Sequence, residues 1–326
     1  MNLKRMNPSA LAALFFLVQA STLHAEACVA ARGRRLHGEV QSRCESMQVG
    51  DRTRTYRIYA PARPANPAPV VIVLHGGGGS GSGQELMTLG GFNRIADREG
   101  IIVLYPDGIG RNWNDGRSGV DSRAFKENVD DVGFLKAMLD RVAGNYAIDR
   151  KRVFATGMSN GGFMSFRLAC EASDTFLAVA PVVADLSVDL GPRCHPGHSI
   201  SVAIFDGTED PLVPWNGGYV TALGIKRGQI WSAVRTYETW IELDGCKLRF
   251  DEPEVNKVPD DGTSLVRHRA TSCAGGAEVR LYEIRGGGHT WPRGAPYLGK
   301  AIVGRVSQEF DANEEIWSFF KGIPSR

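Results

Sequence analysis

The sequence contains no apolar run long enough to cross a bilayer. Its apolar N-terminal stretch, Ala10 to Val18, falls far short of the ~20 residues that a spanning helix needs. Nor is there an excess of charge: 38 Lys and Arg stand against 36 Asp and Glu, a formal net charge of +2. Both surplus positives, Lys4 and Arg5, lie in the first 25 residues. The remainder is balanced and has no electrostatic basis for gripping nucleic acid or an anionic membrane. The six cysteines form no CxxC and no Cys/His cluster of zinc spacing, which argues against a metal site. No cofactor is expected. Internal repeats, low-complexity tracts and linkers are also missing.

What is present begins with an export signal. Lys4 and Arg5, the short apolar stretch and the small residues up to Ala25 have the order of a secretory signal peptide over residues 1–25. Cleavage is expected after Ala25 or Ala27, followed by a single catalytic domain over residues 26–326. Cys28 after Ala27 raises a lipoprotein reading, but no leucine-like residue stands three before it. Export places the protein in the periplasm or the medium, where an even number of cysteines implies disulfides.

Val70 to Leu74 and Ile101 to Tyr105 are continuous apolar runs of the kind that form strands buried on both faces. Arg54 to Ala60, Arg152 to Thr156, Leu177 to Val183, Ile200 to Phe205 and Val279 to Ile284 supply further strands. Helices are expected over Phe92 to Glu99, from Asp130 or Asp131 to about Asn145, from the glycines after Ser159 to about Cys170, and over Ser232 to Leu243. A last helix opens with Asp311-x-x-Glu314, a capping-box pattern, and should bury Ile316, Phe319 and Phe320. Strands alternating with helices predict an α/β fold with a mostly parallel sheet and helices on both faces. Six cysteines allow 15 pairings, and position selects among them. Cys170 ends the helix after Ser159 and Cys194 precedes the strand at Ile200. Cys246 ends the Ser232 helix and Cys273 precedes the last strand, which leaves Cys28 with Cys44.

Gly157-Met158-Ser159-Asn160-Gly161 lies between a strand and a helix, the context in which Gly-x-Ser-x-Gly builds the nucleophile elbow of α/β-hydrolases. A serine needs a base, and the base an orienting acid. In this fold class both follow the serine in chain order. His195 and His198 precede a strand, at the wrong end of the sheet, and His268 stands between Arg267 and Arg269. His289, in a glycine-rich loop after the last strand, is the expected base. Asp206, Glu209 and Asp210 all follow the strand Ile200 to Phe205; Asp206 lies too early in the turn, and Asp210 is the expected acid. Backbone N–H groups of Asn160 and Gly77, the latter in His75-Gly76-Gly77-Gly78, are the expected oxyanion donors. Trp113, Trp215 and Trp291 stand in loops at the same end and are candidates for stacking on a sugar or phenol.

Leu74-His75-Gly76-Gly77-Gly78, the Gly157–Gly162 elbow, Gly207-Thr208-x-Asp210-x-x-Val213-Pro214 and Gly286-Gly287-Gly288-His289-Thr290-Trp291-Pro292 occur in order. With these blocks the chain, over about residues 50–322, resembles the polyhydroxybutyrate-depolymerase/feruloyl-esterase family, which overlaps carbohydrate esterase family 1. The resemblance implies Ser159, Asp210 and His289 as triad and a secreted serine esterase working through an acyl-enzyme. One departure is Asp206, where relatives often carry histidine. The expected substrates are feruloyl or acetyl esters of plant polysaccharide. A polyhydroxybutyrate depolymerase is the alternative, and a non-catalytic carbohydrate-binding relative a further one. With no linker or surface-binding module in the sequence, soluble sugar esters are expected to be better substrates than crystalline polyester.

Overall fold

The apolar runs become the centre of a ten-stranded sheet. The computed structural model describes residues 28–30 and 38–325; the expected signal peptide and its cleavage sites lie outside the described residues. Strands β1 (Arg43–Val49) and β2 (Arg52–Tyr59) form an antiparallel hairpin. Next come β3 (Ala68–Leu74), α1 (Gly81–Met87), α2 (Gly91–Glu99), β4 (Ile102–Pro106), the short α3 (Arg123–Lys126) and α4 (Asp131–Ala143). β5 (Ile148–Met158) runs straight into α5 (Asn160–Glu171), and β6 (Ala178–Val182) and β7 (Ser201–Gly207) follow. The chain then makes a separate hairpin, β8 (Gly218–Ala222) with β9 (Ile225–Ile230), before α6 (Ala233–Leu243). It returns through β10 (Leu248–Asp251), β11 (Ser264–Thr271) and β12 (Val279–Arg285), and closes with α7 (Lys300–Val303) and α8 (Ala312–Gly322).

The strand order is β1-β2-β4-β3-β5-β6-β7-β12-β11-β10. From β4 to β12 neighbours are parallel; the two margins are antiparallel. Successive side chains of a strand point to opposite faces, and β3 shows why its residues are all apolar. Val70, Ile72 and Leu74 pack into the core beneath α4, α5 and α6, whereas Val71 and Val73 pack into the core beneath α2 and α8. Asp130 caps α4 by accepting the Gly133 N–H at 2.8 Å, while the neighbouring Asp131 forms a buried ion pair with Arg54 at 2.6 Å. At α8, Asp311 accepts the Asn313 N–H at 2.8 Å. The reciprocal half of a capping box is not made, because Glu314 instead takes both ends of the Arg98 guanidinium at 2.9 and 2.8 Å. Ile316, Phe319 and Phe320 are buried as expected.

The cysteines pair Cys28–Cys44, Cys170–Cys194 and Cys246–Cys273. The second joins the end of α5 to the approach to β7, and the third joins the segment after α6 to the end of β11. Among the described residues no helix is long and apolar enough to cross a membrane.

Candidate active site

Four of the parallel strands end in the loops that carry the expected site residues. β5 ends at Met158, and Ser159 turns the chain into α5 with φ 54° and ψ −118°, a conformation costly for any residue but glycine. Three glycines make this turn possible. A Cβ on Gly157 would lie 2.7 Å from the carbonyl carbon of Gly161, and one on Gly161 would lie 2.4 Å from the carbonyl oxygen of Leu74. One on Gly162 would lie 2.7 Å from the Cβ of Ala184. The backbone secures the turn: Ser159 N–H donates to Val182 O at 2.9 Å, and Ser159 O accepts from Phe163 N–H at 2.8 Å.

The loop after β3 lies against this elbow. A Cβ built on Gly76 would be 3.6 Å from the Ser159 Cβ, and one on Gly77 would be 3.7 Å from the Asn160 Cβ. The N–H groups of Gly78 and Gly79 are committed, to Arg111 O at 2.8 Å and Gly76 O at 3.0 Å. Gly77 and Asn160 are thereby the pair of residues that the loop and the elbow bring side by side. His75 anchors the loop. Its Nδ1 donates to Gly76 O at 2.7 Å and its Nε2 accepts Gly108 N–H at 3.0 Å, partners that assign one neutral tautomer. Burial drives the His75 imidazole down to about 4, so it stays neutral and fixes backbone. The Asn160 side chain adds a second tie, accepting Trp113 N–H at 2.8 Å and donating to Trp113 O at 3.1 Å.

After β7 and β12 the chain brings Asp210 and His289 together. Their contact, Asp210 Oδ2 to His289 Nδ1, is 2.7 Å, and both side chains are almost wholly buried. The other carboxylate oxygen of Asp210 accepts the N–H groups of Leu212 at 2.7 Å and Val213 at 2.8 Å. That arrangement leaves the carboxylate one direction in which to orient the ring. The His289 backbone is held in turn by Val303 O, which accepts its N–H at 2.6 Å, and by the Tyr297 hydroxyl, which donates to its carbonyl at 3.1 Å. Among the described residues neither the Ser159 hydroxyl nor Nε2 of His289 is hydrogen-bonded to protein. Asp206 points elsewhere, accepting the Ala184 N–H at 3.0 Å, and the exposed Glu209 pairs with Arg305.

Two of the three tryptophan candidates require correction. Trp113 is 1% exposed, donates Nε1–H to His75 O at 2.9 Å and lies against the His75 ring. Trp291 is also 1% exposed and meets Phe92 edge to face at 6.3 Å. Both rings fill the interior behind the loops and offer no face to a ligand. Trp215 is only partly buried, packed at the margin of the α4–α6 core.

The family described as "Putative esterase" matches residues 46–249, more than half of the chain. The chain belongs to this esterase family. Its sequence is 31% identical to "Putative esterase NocK" of Nocardia uniformis subsp. tsuyamanensis, over 89% of this chain and 85% of that protein. It is also 31% identical to "Feruloyl esterase B" of Piromyces equi, over 68% of this chain and 39% of that longer protein. The structure is similar to an acetyl xylan esterase from Aspergillus awamori, with a TM-score of 0.55 at 15% identity, over 86% of this chain and 99% of that one. This last likeness concerns the fold, which is that of the α/β-hydrolases. The esterase is a carboxylic-ester hydrolase, and its elbow and its histidine–aspartate contact sit at the end of the sheet where loops from β3, β5, β7 and β12 meet.

Sequence reasoning missed three contributors to this end of the esterase. Asn160 was expected only for its backbone, yet its side chain welds the elbow to the Trp113 segment. Tyr297 and Asp185 carry no motif; Asp185 is buried just after β6. Only its place after an apolar strand marked that aspartate.

Proposed function

We propose that Ser159, His289 and Asp210 form the catalytic triad of an exported esterase that cleaves feruloyl or acetyl esters of plant polysaccharide. The observation that carries this reading is the buried 2.7 Å contact between His289 and Asp210, on loops that leave the same end of the parallel sheet as the strained turn at Ser159. With Nδ1 bound to Asp210, the ring keeps Nε2 as the proton acceptor. As the Ser159 hydroxyl swings onto Nε2, its oxygen attacks the ester carbonyl and its proton passes to the imidazole. The carbonyl oxygen becomes an oxyanion facing the N–H groups of Gly77 and Asn160. Each such donor is worth about 2.7–4 kcal/mol of transition-state stabilisation. Collapse of the intermediate expels the alcohol, which takes the proton from His289 and leaves an acyl-Ser159. Water, deprotonated by the same imidazole, then releases the acid and restores the serine.

Support for the substrate class comes from relatives named as feruloyl esterases, and support for export from three disulfides. Two measurements test the proposal. An organophosphate should modify Ser159, and labelling at another serine would overturn the triad. Incubation with feruloylated arabinoxylan, acetylxylan and polyhydroxybutyrate should release ferulate or acetate; release of hydroxybutyrate alone would reverse the substrate assignment.

A further inference from the structure

Two carboxyl groups that the proposed mechanism does not use are buried directly behind the triad. Asp185, in the turn after β6, is 1% exposed, and Asp206, near the end of β7, is 3% exposed. Their carboxyls are close enough to hydrogen-bond to each other. When the two are taken as carboxylates, Oδ2 of Asp206 receives no donor from the described protein groups and Asp185 meets only the Thr236 hydroxyl. Among the described residues neither aspartate has an ion-pair partner. The groups that face them are the Thr236 hydroxyl of α6, the Ala184 N–H and a third carboxylate, Asp210.

Two carboxylates in contact, away from water and without a cation, cannot both be charged. The stable form puts a proton between them, so that one acid donates to the other, as in other carboxyl dyads. Burial pushes both carboxyls well above the ordinary range, and the negative charge of Asp210 pushes in the same direction.

The place of the pair gives it a task. Asp206 Oδ1 accepts the Ala184 N–H at 3.0 Å. Ala184 follows Val183, a β-branched residue held at φ 48°, whose N–H donates to Phe205 O at 2.8 Å. Val182, one residue earlier, takes the Ser159 N–H, and the Ala184 side chain fills the space that Gly162 leaves open. Asp206 lies four residues before Asp210 in the chain. The two acids therefore tie the turn that supports Ser159 to the strand that leads to Asp210.

We propose that Asp185 and Asp206 share a proton and act as positioning residues, fixing the Ser159 turn relative to the Asp210 loop. This rests on the triad reading above. An asparagine at 206 can make both bonds, accepting from Ala184 and donating to Asp185, without any proton to lose; an alanine can make neither.

Infrared difference spectroscopy on the intact protein at pH 7, native minus Asp206→Asn, should show the C=O stretch of a protonated carboxyl. A difference showing only carboxylate bands would overturn the shared proton, and Asp185→Asn provides the same comparison if the first variant does not fold. Kinetically, Asp206→Ala should lower kcat on the order of tenfold or more, the scale of a small misplacement of reacting groups. KM should change little, and Asp206→Asn should restore kcat. Equal loss in Asp206→Ala and Asp206→Asn would overturn the positioning role. The infrared signal is independent of turnover, so a failed Ser159 label and a failed carboxyl pair are separate results.

Discussion

Among the described residues two histidines have a carboxylate 2.7 Å from Nδ1, and they are built for opposite ends. His289 meets Asp210 on converging loops and both are nearly sealed from water. His268 meets Asp251 across paired strands, β11 and β10, where the aspartate is 77% exposed. The second nitrogen separates them further. Nε2 of His268 is occupied by Glu283 at 3.1 Å, whereas Nε2 of His289 makes no bond to protein among the described residues. An imidazole with a carboxylate at each nitrogen has neither nitrogen open to an attacking hydroxyl. The lesson is that a histidine–carboxylate distance identifies nothing alone; what matters is which nitrogen remains and what lies beside it.

The comparison breaks most visibly under alanine substitution. With a p-nitrophenyl short-chain ester, His289→Ala is expected to lose on the order of 10⁶ in kcat, as triad histidines do. His268→Ala should stay within about twofold, the effect of a change remote from the reacting groups. A large loss on removing His268 would show that the marginal strands contribute to catalysis. A milder change sharpens the contrast at the acid. Asp210→Asn keeps the shape but favours the wrong ring tautomer, and a loss of about 10⁴ in kcat is expected. Asp251→Asn, the matching change at His268, should leave kcat alone. Full activity in Asp210→Asn would move the orienting role to another carboxylate.

The difference between the two regions also explains what the sequence made legible. The parallel centre was readable because strands buried on both faces must be continuously apolar, as in Val70 to Leu74, and because strained turns there demand glycine. Of the margins, Arg54 to Ala60 was readable as a strand and is β2, but β1, β10 and β11 were not. β10 is Leu248-Arg249-Phe250-Asp251, exposed throughout, and β11 carries Arg267, His268 and Arg269 in a row. Such charge protects a sheet edge from pairing with another chain, but along the sequence it reads as a solvated loop. The β8–β9 hairpin was hidden for a related reason, since Gly217, Gly218, Gly224 and Gly228 break any alternation. Trp113 and Trp291 failed differently. A ring in an active-site loop can face the ligand or plug the space behind the loop, and local sequence has the same appearance in both cases.

The marginal cluster is expected to matter to stability in acid and not to catalysis. Burial alone raises the Glu283 carboxyl, but hydrogen bonds from Arg285 and His268, and their charges, bring it below its ordinary 4.5. A carboxylate whose folded value is depressed binds its proton less readily folded than unfolded. Its stabilisation is complete above the unfolded value near 4.5 and is lost as pH falls through the lower folded value. Glu283→Gln should therefore lower Tm at pH 7 by no more than about 2–4 °C, because the group is only partly shielded from solvent. The gap to the native protein should narrow progressively below pH 4.5. Near neutrality kcat should be unaffected by the substitution, since Glu283 reaches His268 and Arg285 but not the His289 loop. A Tm gap that persists unchanged into acid would mean that Glu283 acts through packing, and the charged margin would then owe nothing to its histidine.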